Sequence, residues 1–423
     1  MQLKTQLSTT KLIFNIPSFG GAWGGTYMKK TFISLILGLF ICTSVSAQFL
    51  IKAERMADIK ANINNIENGT SAYKALIEKA DNELKEIIVP VTEKKDAPPS
   101  GDKHDYISMG PYWWADPSSP DGLPYIRKDG QRNPEVHNYD RYKMDKMMRG
   151  VITLGYAYYF TKDEKYAVKA MDYLNVWFLN KKTRMNPNLN YGQIIPGHNN
   201  GKGRAEGIID IYILVEMVDC VTLLSSSKAM RKKDLQGIKT WFSELLDWML
   251  TSEIGLAEYR AKNNHGMAYD VQVVSYALFT GRNDIVERFI GEFAQNRLFK
   301  QIEPDGSQPL ELARTKAMHY SIDNIGHTMD MCFLAQHLGI NLYNSTSEDG
   351  RSIAKAIEFI KQYLGKPQSE FPYQQINEWD ENQNRLCWLI KKSTFLSPNE
   401  EYDLLFKKYC KTKNTDIKWL LWN

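Results

Sequence analysis

The sequence predicts an all-α protein, and three observations carry that reading. From Tyr139 onward, almost every stretch between polar breaks repeats apolar residues at i, i+3, i+4 and i+7, the period of an amphipathic helix. Strand-like alternation of useful length is nearly absent. The breaks are short, as in Thr161-Lys162-Asp163, Thr280-Gly281-Arg282-Asn283 and Gly365-Lys366-Pro367, so successive helices turn back on one another as antiparallel hairpins.

The N-terminus is expected to lie outside this body. Met28-Lys29-Lys30 precedes an apolar run from Thr31 to Val45, and Val45-Ser46-Ala47 before Gln48 places small residues for cleavage. That is the layout of a secretory signal peptide over 28–47, too short and wrongly flanked for a stable membrane anchor. Residues 1–27 precede that methionine and read as a mis-assigned upstream segment. The expected mature chain, 48–423, is one large domain that is exported, periplasmic or secreted. Removing 1–47 takes away Lys4, Lys11, Lys29 and Lys30 and no acidic residue, so 53 basic residues fall to 49 against 49 acidic ones. A neutral chain argues against nucleic acid or a polybasic membrane contact. Cys220, Cys332, Cys387 and Cys410 show neither metal-ligand spacing nor a short-range disulfide framework.

Two helical stretches are expected between Phe49 and about Val89, closed by Val89-Pro90 and the Asp96–Asp102 cluster. A long irregular region follows, from Asp105 to Pro134. Loops beyond about 12–15 residues are usually functional, and this one carries Tyr112, Trp113, Trp114 and Tyr125, either pinning the loop to the body or forming a sugar-stacking wall. Helices are then expected near 139–161, 164–181, 205–224, 230–251, 265–280, 283–299, 321–338, 350–364 and 382–392. A glycine-rich loop, Asn190 to Arg204, interrupts them. Its glycines allow close backbone approach to a ligand, and Gln193, His198 and Arg204 are its candidate binding residues.

Two further stretches are polar where helices begin. Lys262-Asn263-Asn264-His265 precedes a helix in which Asn is a good N-cap. From there the spacing i, i+4, i+7, i+11 sets His265, Tyr269, Gln272 and Tyr276 on one face, the expected wall of a wet cleft. The second runs from Asp305 to Tyr320. For Arg314 and Tyr320 to act together, the backbone between them must be non-helical, since six helical residues turn about 240°.

These residues suit β-elimination on a uronic acid polymer. No acid–base carboxylate pair stands out for glycoside hydrolysis, and no Gly-x-Ser-x-Gly, His-Glu-x-x-His or phosphate-loop pattern appears. Amide and guanidinium donors on the sugar carboxylate, from Asn264 and Arg314, would stabilise an enolate-like transition state. His265 can accept the C5 proton, and Tyr320, helped toward phenolate by the nearby arginine, can exchange a proton at O4.

Asn263-Asn264-His265, the run Asp305 to Arg314 with His319-Tyr320, Gly110-Pro111-Tyr112-Trp113-Trp114, and Gln193 with Pro196-Gly197 and Gly203 together resemble the alginate lyase family of polysaccharide lyases. The resemblance spans about residues 105–340. It implies an (α/α) toroid of about six to seven helical hairpins with a deep cleft, elimination without a metal or other cofactor, and an active-site group formed here by Asn264, His265, Arg314 and Tyr320. The implied partner is an anionic polysaccharide, alginate or a related polyuronate such as glucuronan. Tyr320 would serve as base and acid for syn elimination, and His265 as base for the anti case. Two positions depart from the family pattern: the Arg-to-Tyr spacing is one residue short, and Gly266 follows the histidine where a bulkier residue is expected. Two other readings remain open at this level. One is an (α/α)-barrel hydrolase of uronosides with Asp270 or Glu311 as acid. The other is a non-catalytic polyuronate-binding surface protein.

Overall fold

The computed structural model of the protein describes residues 50–423. The expected upstream segment and signal peptide lie outside the described residues. The helices that organise the rest are α1 (Ala53–Asn62), α2 (Gly69–Glu83), α3 (Arg141–Thr161), α4 (Glu164–Leu174), α5 (Leu214–Leu224), α6 (Lys232–Thr251), α7 (Glu253–Tyr259), α8 (Asn264–Thr280), α9 (Asn283–Phe293), α10 (Ala317–Ala335), α11 (Ile353–Lys361), α12 (Trp379–Ser393) and α13 (Glu400–Tyr409). The all-α expectation holds, and the helices predicted from periodicity are found close to their expected places.

Packing sorts them into two rows. α3, α5, α8, α10 and α12 each pack on the next and form an inner row. Outside it, α2 and α4 lie on α3, α6 and α9 on α8, α11 on α10 and α12, and α13 on α12. The sequence explains the division. α9 is apolar on one side only, with Ile285, Val286, Phe289, Ile290 and Phe293 buried, as an outer helix should be. α8 is buried nearly all round, from Asn264 to Ala277. The stripe expected to line a wet cleft is therefore core: Tyr269 donates to the Met249 carbonyl, Gln272 to Ala268, and Tyr276 to Ile211. A helix covered on every side has no wet face beyond its first turn, and Tyr269 is withdrawn from the cleft residues.

Local chemistry sets the helix ends. Asp163, Ser252, Ser352 and Asn399 cap α4, α7, α11 and α13 with side-chain oxygens. Gly281 ends α8 at φ 81°.

The two long polar loops are joined rather than separate. Strand β1 (Ile107–Met109) pairs in parallel with β4 (Tyr191–Ile194), while β2 (Trp113–Trp114) pairs antiparallel with β3 (Ile126–Arg127). Glycines close the second loop back on itself, and Gly197 packs it against the first, where a Cβ would lie 2.7 Å from the Pro124 Cα. A Cβ on Gly207 would lie 2.5 Å from the Gly192 carbonyl carbon, and one on Gly203 2.6 Å from the Gly192 nitrogen. They let backbone meet backbone, where the sequence had pointed to a ligand. No helix among the described residues is long and apolar enough to cross a membrane.

Candidate active site

Asn264, His265, Arg314 and Tyr320, from two segments about fifty residues apart, line one cavity of about 650 Å³. Tyr112, Trp113, Gln193 and Arg204 share its wall. Trp114 and His198 lie off it: the Trp114 indole donates to the Gln131 carbonyl, and His198 contacts the Tyr125 carbonyl while packing edge-on to Trp113. Trp113 alone of the two tryptophans offers the cavity an aromatic surface.

Asn264 opens α8. Asn263 occupies the N-cap position without making a side-chain cap, which corrects the sequence expectation. The unpaired N–H is met from across the fold instead. Glu311, on the single turn Pro309–Leu312, accepts from the Asn264 backbone N–H through Oε1 and from its Nδ2 through Oε2, both at 2.6 Å. A carboxylate at a helix N-terminus also faces the positive end of the helix dipole. Both residues are almost wholly buried, Asn264 at 2% exposure and Glu311 at 1%. Burial pushes the Glu311 carboxyl up, against the two Asn264 hydrogen bonds that hold it down. The amide is thereby fixed, with one Nδ2 hydrogen left to donate.

His265 is oriented by Glu258, the penultimate residue of α7, whose Oε1 lies 2.7 Å from Nδ1. With Nδ1–H given to the carboxylate, Nε2 is the nitrogen left to accept a proton. Burial lowers the imidazole's proton affinity, but the charge and hydrogen bond of Glu258 outweigh it, so the ring keeps its proton to higher pH than an ordinary histidine.

The chain between Glu258 and His265 is held by Arg297. This residue lies in a π-helical turn, Ala294–Leu298, that extends α9. Its guanidinium binds both Asp270 oxygens, at 2.8 and 2.9 Å, and donates to the Ala261 and Tyr259 carbonyls. That close approach explains Gly266, since a Cβ there would lie 2.2 Å from the Ala261 oxygen and 2.7 Å from Arg297 Nη1.

Between Arg314 and Tyr320 the backbone is a bend and turn over 313–316, closed by a bridge from Lys316 to Gln375, before α10 starts at Ala317. The condition of a non-helical link is met by a turn and not by an extended run, so Lys316 and Met318 face the core while Arg314 and Tyr320 meet. The Arg314 Cζ stands 3.9 Å from the Tyr320 ring centroid. The Tyr320 hydroxyl donates to the Tyr112 hydroxyl at 2.9 Å. Burial, with Tyr112 adding to it, holds the phenol well above its usual pKa, and Arg314 opposes this without reversing it. The expectation of a phenol helped toward phenolate is thus corrected: the phenol holds its proton. The guanidinium sits over the ring face and is paired with Asp129, and its pull toward ionisation is outweighed by burial.

His319, beside Tyr320, also lines the cavity, but both its nitrogens are engaged. Nδ1 lies 2.7 Å from Arg385 Nη1 and Nε2 3.3 Å from Asp323 Oδ2. Neither carboxylate considered for hydrolysis is on the cavity wall: Asp270 is bound to Arg297 and Glu311 to Asn264. Gln193 is similarly committed, donating to Asp210 at 2.9 Å and accepting from Arg204 at 2.7 Å.

Sequence reasoning missed Glu258, Asp129 and the wall arginines Arg127, Arg132 and Arg141. A lone glutamate seven residues before a histidine carries no signal of its own, and Asp129-Gly130 reads simply as a turn.

The alginate lyase family profile matches residues 90–370. The chain is similar to the crystal structure of an alginate lyase from Bacteroides ovatus, with 52% identity, 89% of this chain and 99% of that chain covered, and a TM-score of 0.87. It is also similar in fold to alginate lyase A1-III from Sphingomonas species A1, with 13% identity, 85% and 97% of the two chains covered, and a TM-score of 0.52. A tetrasaccharide complex of a histidine-to-alanine variant of A1-III aligns at 14% identity over 84% and 96% of the chains, with a TM-score of 0.53. No curated protein gives a significant match.

Proposed function

As a member of the alginate lyase family, the chain is a polysaccharide lyase, and we propose that it cleaves alginate or a closely related 1,4-linked polyuronate by β-elimination at the cavity described above. One observation carries the proposal: Asn264, His265, Arg314 and Tyr320 line a single cavity. Five arginines, Arg127, Arg132, Arg141, Arg204 and Arg314, line the cavity against four acidic residues, Glu206, Asp210, Glu258 and Asp323, and the basic excess supports an anionic chain as occupant.

In the proposed reaction the Nε2 of neutral His265 takes the C5 proton. The C5–H electron pair forms the C4–C5 double bond, the C4–O4 bond breaks, and the Tyr320 hydroxyl delivers a proton to the departing oxygen. Asn264 Nδ2 and the free edge of Arg314 donate to the sugar carboxylate and stabilise charge that develops there in the transition state. The raised phenol pKa supports Tyr320 as the acid, since it enters the reaction protonated. The Glu258 contact supports His265 as the base, because it leaves Nε2 open to the cavity. For the epimer that presents its C5 proton to the same side as O4, Tyr320 would carry both transfers only from its phenolate form. Having first lost its own proton to solvent, it would take the C5 proton and hand it to O4. Tyr112, Trp113 and Arg204 would bind the neighbouring sugars, with Gln193 holding Arg204 in place. Export would follow from the segment 28–47.

The test is ultraviolet absorbance on mixing the protein with polymannuronate, polyguluronate and glucuronan. A lyase creates a conjugated double bond at the new non-reducing end. A hydrolase or a binding protein creates none, and absence of the signal on every polymer would reject the proposal.

A further inference from the structure

Asp129 approaches the Arg314 turn from the distant loop that carries β2 and β3. It follows β3 at a turn whose next residue, Gly130, has φ 75° and packs so closely that a Cβ there would lie 2.6 Å from Thr315 Oγ1. The Asp129 carboxylate accepts from Arg314 Nε at 3.1 Å and Nη2 at 2.9 Å, from Thr315 Oγ1 at 3.0 Å, and from Arg127 Nη2 at 2.8 Å. The Nε–Nη2 edge of the guanidinium is therefore already spent on the protein. A planar fork gripped along one edge has its plane and its remaining edge fixed. Here the guanidinium stands over the Tyr320 ring, with Cζ 3.9 Å from the centroid.

We propose that Asp129 is a positioning residue for the elimination: by gripping one edge of Arg314 it keeps the guanidinium over Tyr320 and turns the other edge to the substrate carboxylate. The inference rests on the polyuronate lyase reading and deepens it. Although burial opposes ionisation, the hydrogen bonds and charge of Arg314 hold the Asp129 carboxyl well below the usual carboxylate range, so the grip persists through any working pH. Released from Asp129, Arg314 would gain rotamers and meet the substrate carboxylate with either edge. Substrate would still bind, but the arginine would leave the tyrosine.

The experiment compares kcat and KM on the best polyuronate for Asp129→Asn, Asp129→Glu, Thr315→Val, Arg314→Lys and the double variant Asp129→Asn with Arg314→Lys. Circular dichroism melts report folding, and Asp129→Ser supplies the same comparison if the amide variant misfolds. Expected are a kcat lower by about 10- to 100-fold for Asp129→Asn with KM changed by less than about threefold, recovery of most of that loss in Asp129→Glu, and near-normal kcat in Thr315→Val. In the Arg314→Lys background, adding Asp129→Asn should cost less than about threefold, the non-additivity of residues acting through one another. An unchanged kcat in Asp129→Asn, a loss confined to KM, or an equal loss in the lysine background or in Thr315→Val would overturn the proposal in favour of simple loop pinning. A wild-type protein that forms no double bond on any polymer rejects the substrate reading instead.

Discussion

Both oxygens of Glu311 are bound to Asn264, one by its backbone N–H and one by its side-chain amide, each at 2.6 Å. One carboxylate thus caps a helix and aims the residue that opens it. In Glu311→Gln, an NH₂ group faces one of those two donors in a buried site. The expected cost is about 1–3 kcal/mol of stability, with a fall in turnover as the Asn264 amide loses its fixed direction. Thermal melts and kcat check this together, and a variant normal in both would show that Glu311 does not position the amide.

Glu258 governs the proton affinity of His265. Neutral His265 is the proposed base, so rate should rise with pH through a histidine pKa above the ordinary value of about 6.5. Glu258→Gln keeps an oxygen that can accept from Nδ1 but removes the charge. Burial, which lowers the pKa, then dominates, and the acidic limb of the kcat/KM profile should move to lower pH. A limb that stays in place would disconnect Glu258 from the base.

Tyr320→Phe removes the hydroxyl while keeping the ring under Arg314. Turnover should fall by about 10²–10⁴-fold, the usual contribution of a positioned acid or base, and the lost bond to Tyr112 should cost only about 1 kcal/mol of stability. Wild-type-like formation of the double bond in this variant would remove Tyr320 from the reaction.

Gly266→Ala forces a methyl group against the Ala261 carbonyl and Arg297. Overpacking of this kind costs about 1–3 kcal/mol, and the strain falls beside His265, so the melting temperature and kcat should drop together. A melt equal to that of the wild type would mean that the 261–266 segment yields more easily than its contacts suggest.

The long helices were legible because their signal is local. The period of apolar residues in α9, the aspartate before α4 and the glycine after α8 each act within a few residues of where they stand. So was the grouping of an amide, an imidazole, a guanidinium and a phenol as chemistry suited to a uronate. Tyr269 was misread for the same reason: periodicity says which residues share a face, and the neighbours that cover the face are distant in sequence.

Taken alone, the amino-acid order determined the helical class, most of the helix ends and the four side chains proposed for the chemistry. Tertiary structure decided what each of them is free to do. It committed Asn264 to Glu311, His265 to Glu258 and Arg314 to Asp129, three carboxylates that lie 47, 7 and 185 residues from their partners. Hydrogen bonds and ion pairs depend on distances of about 3 Å, and only the packing of the helix rows and the docking of the two loops bring those groups that close.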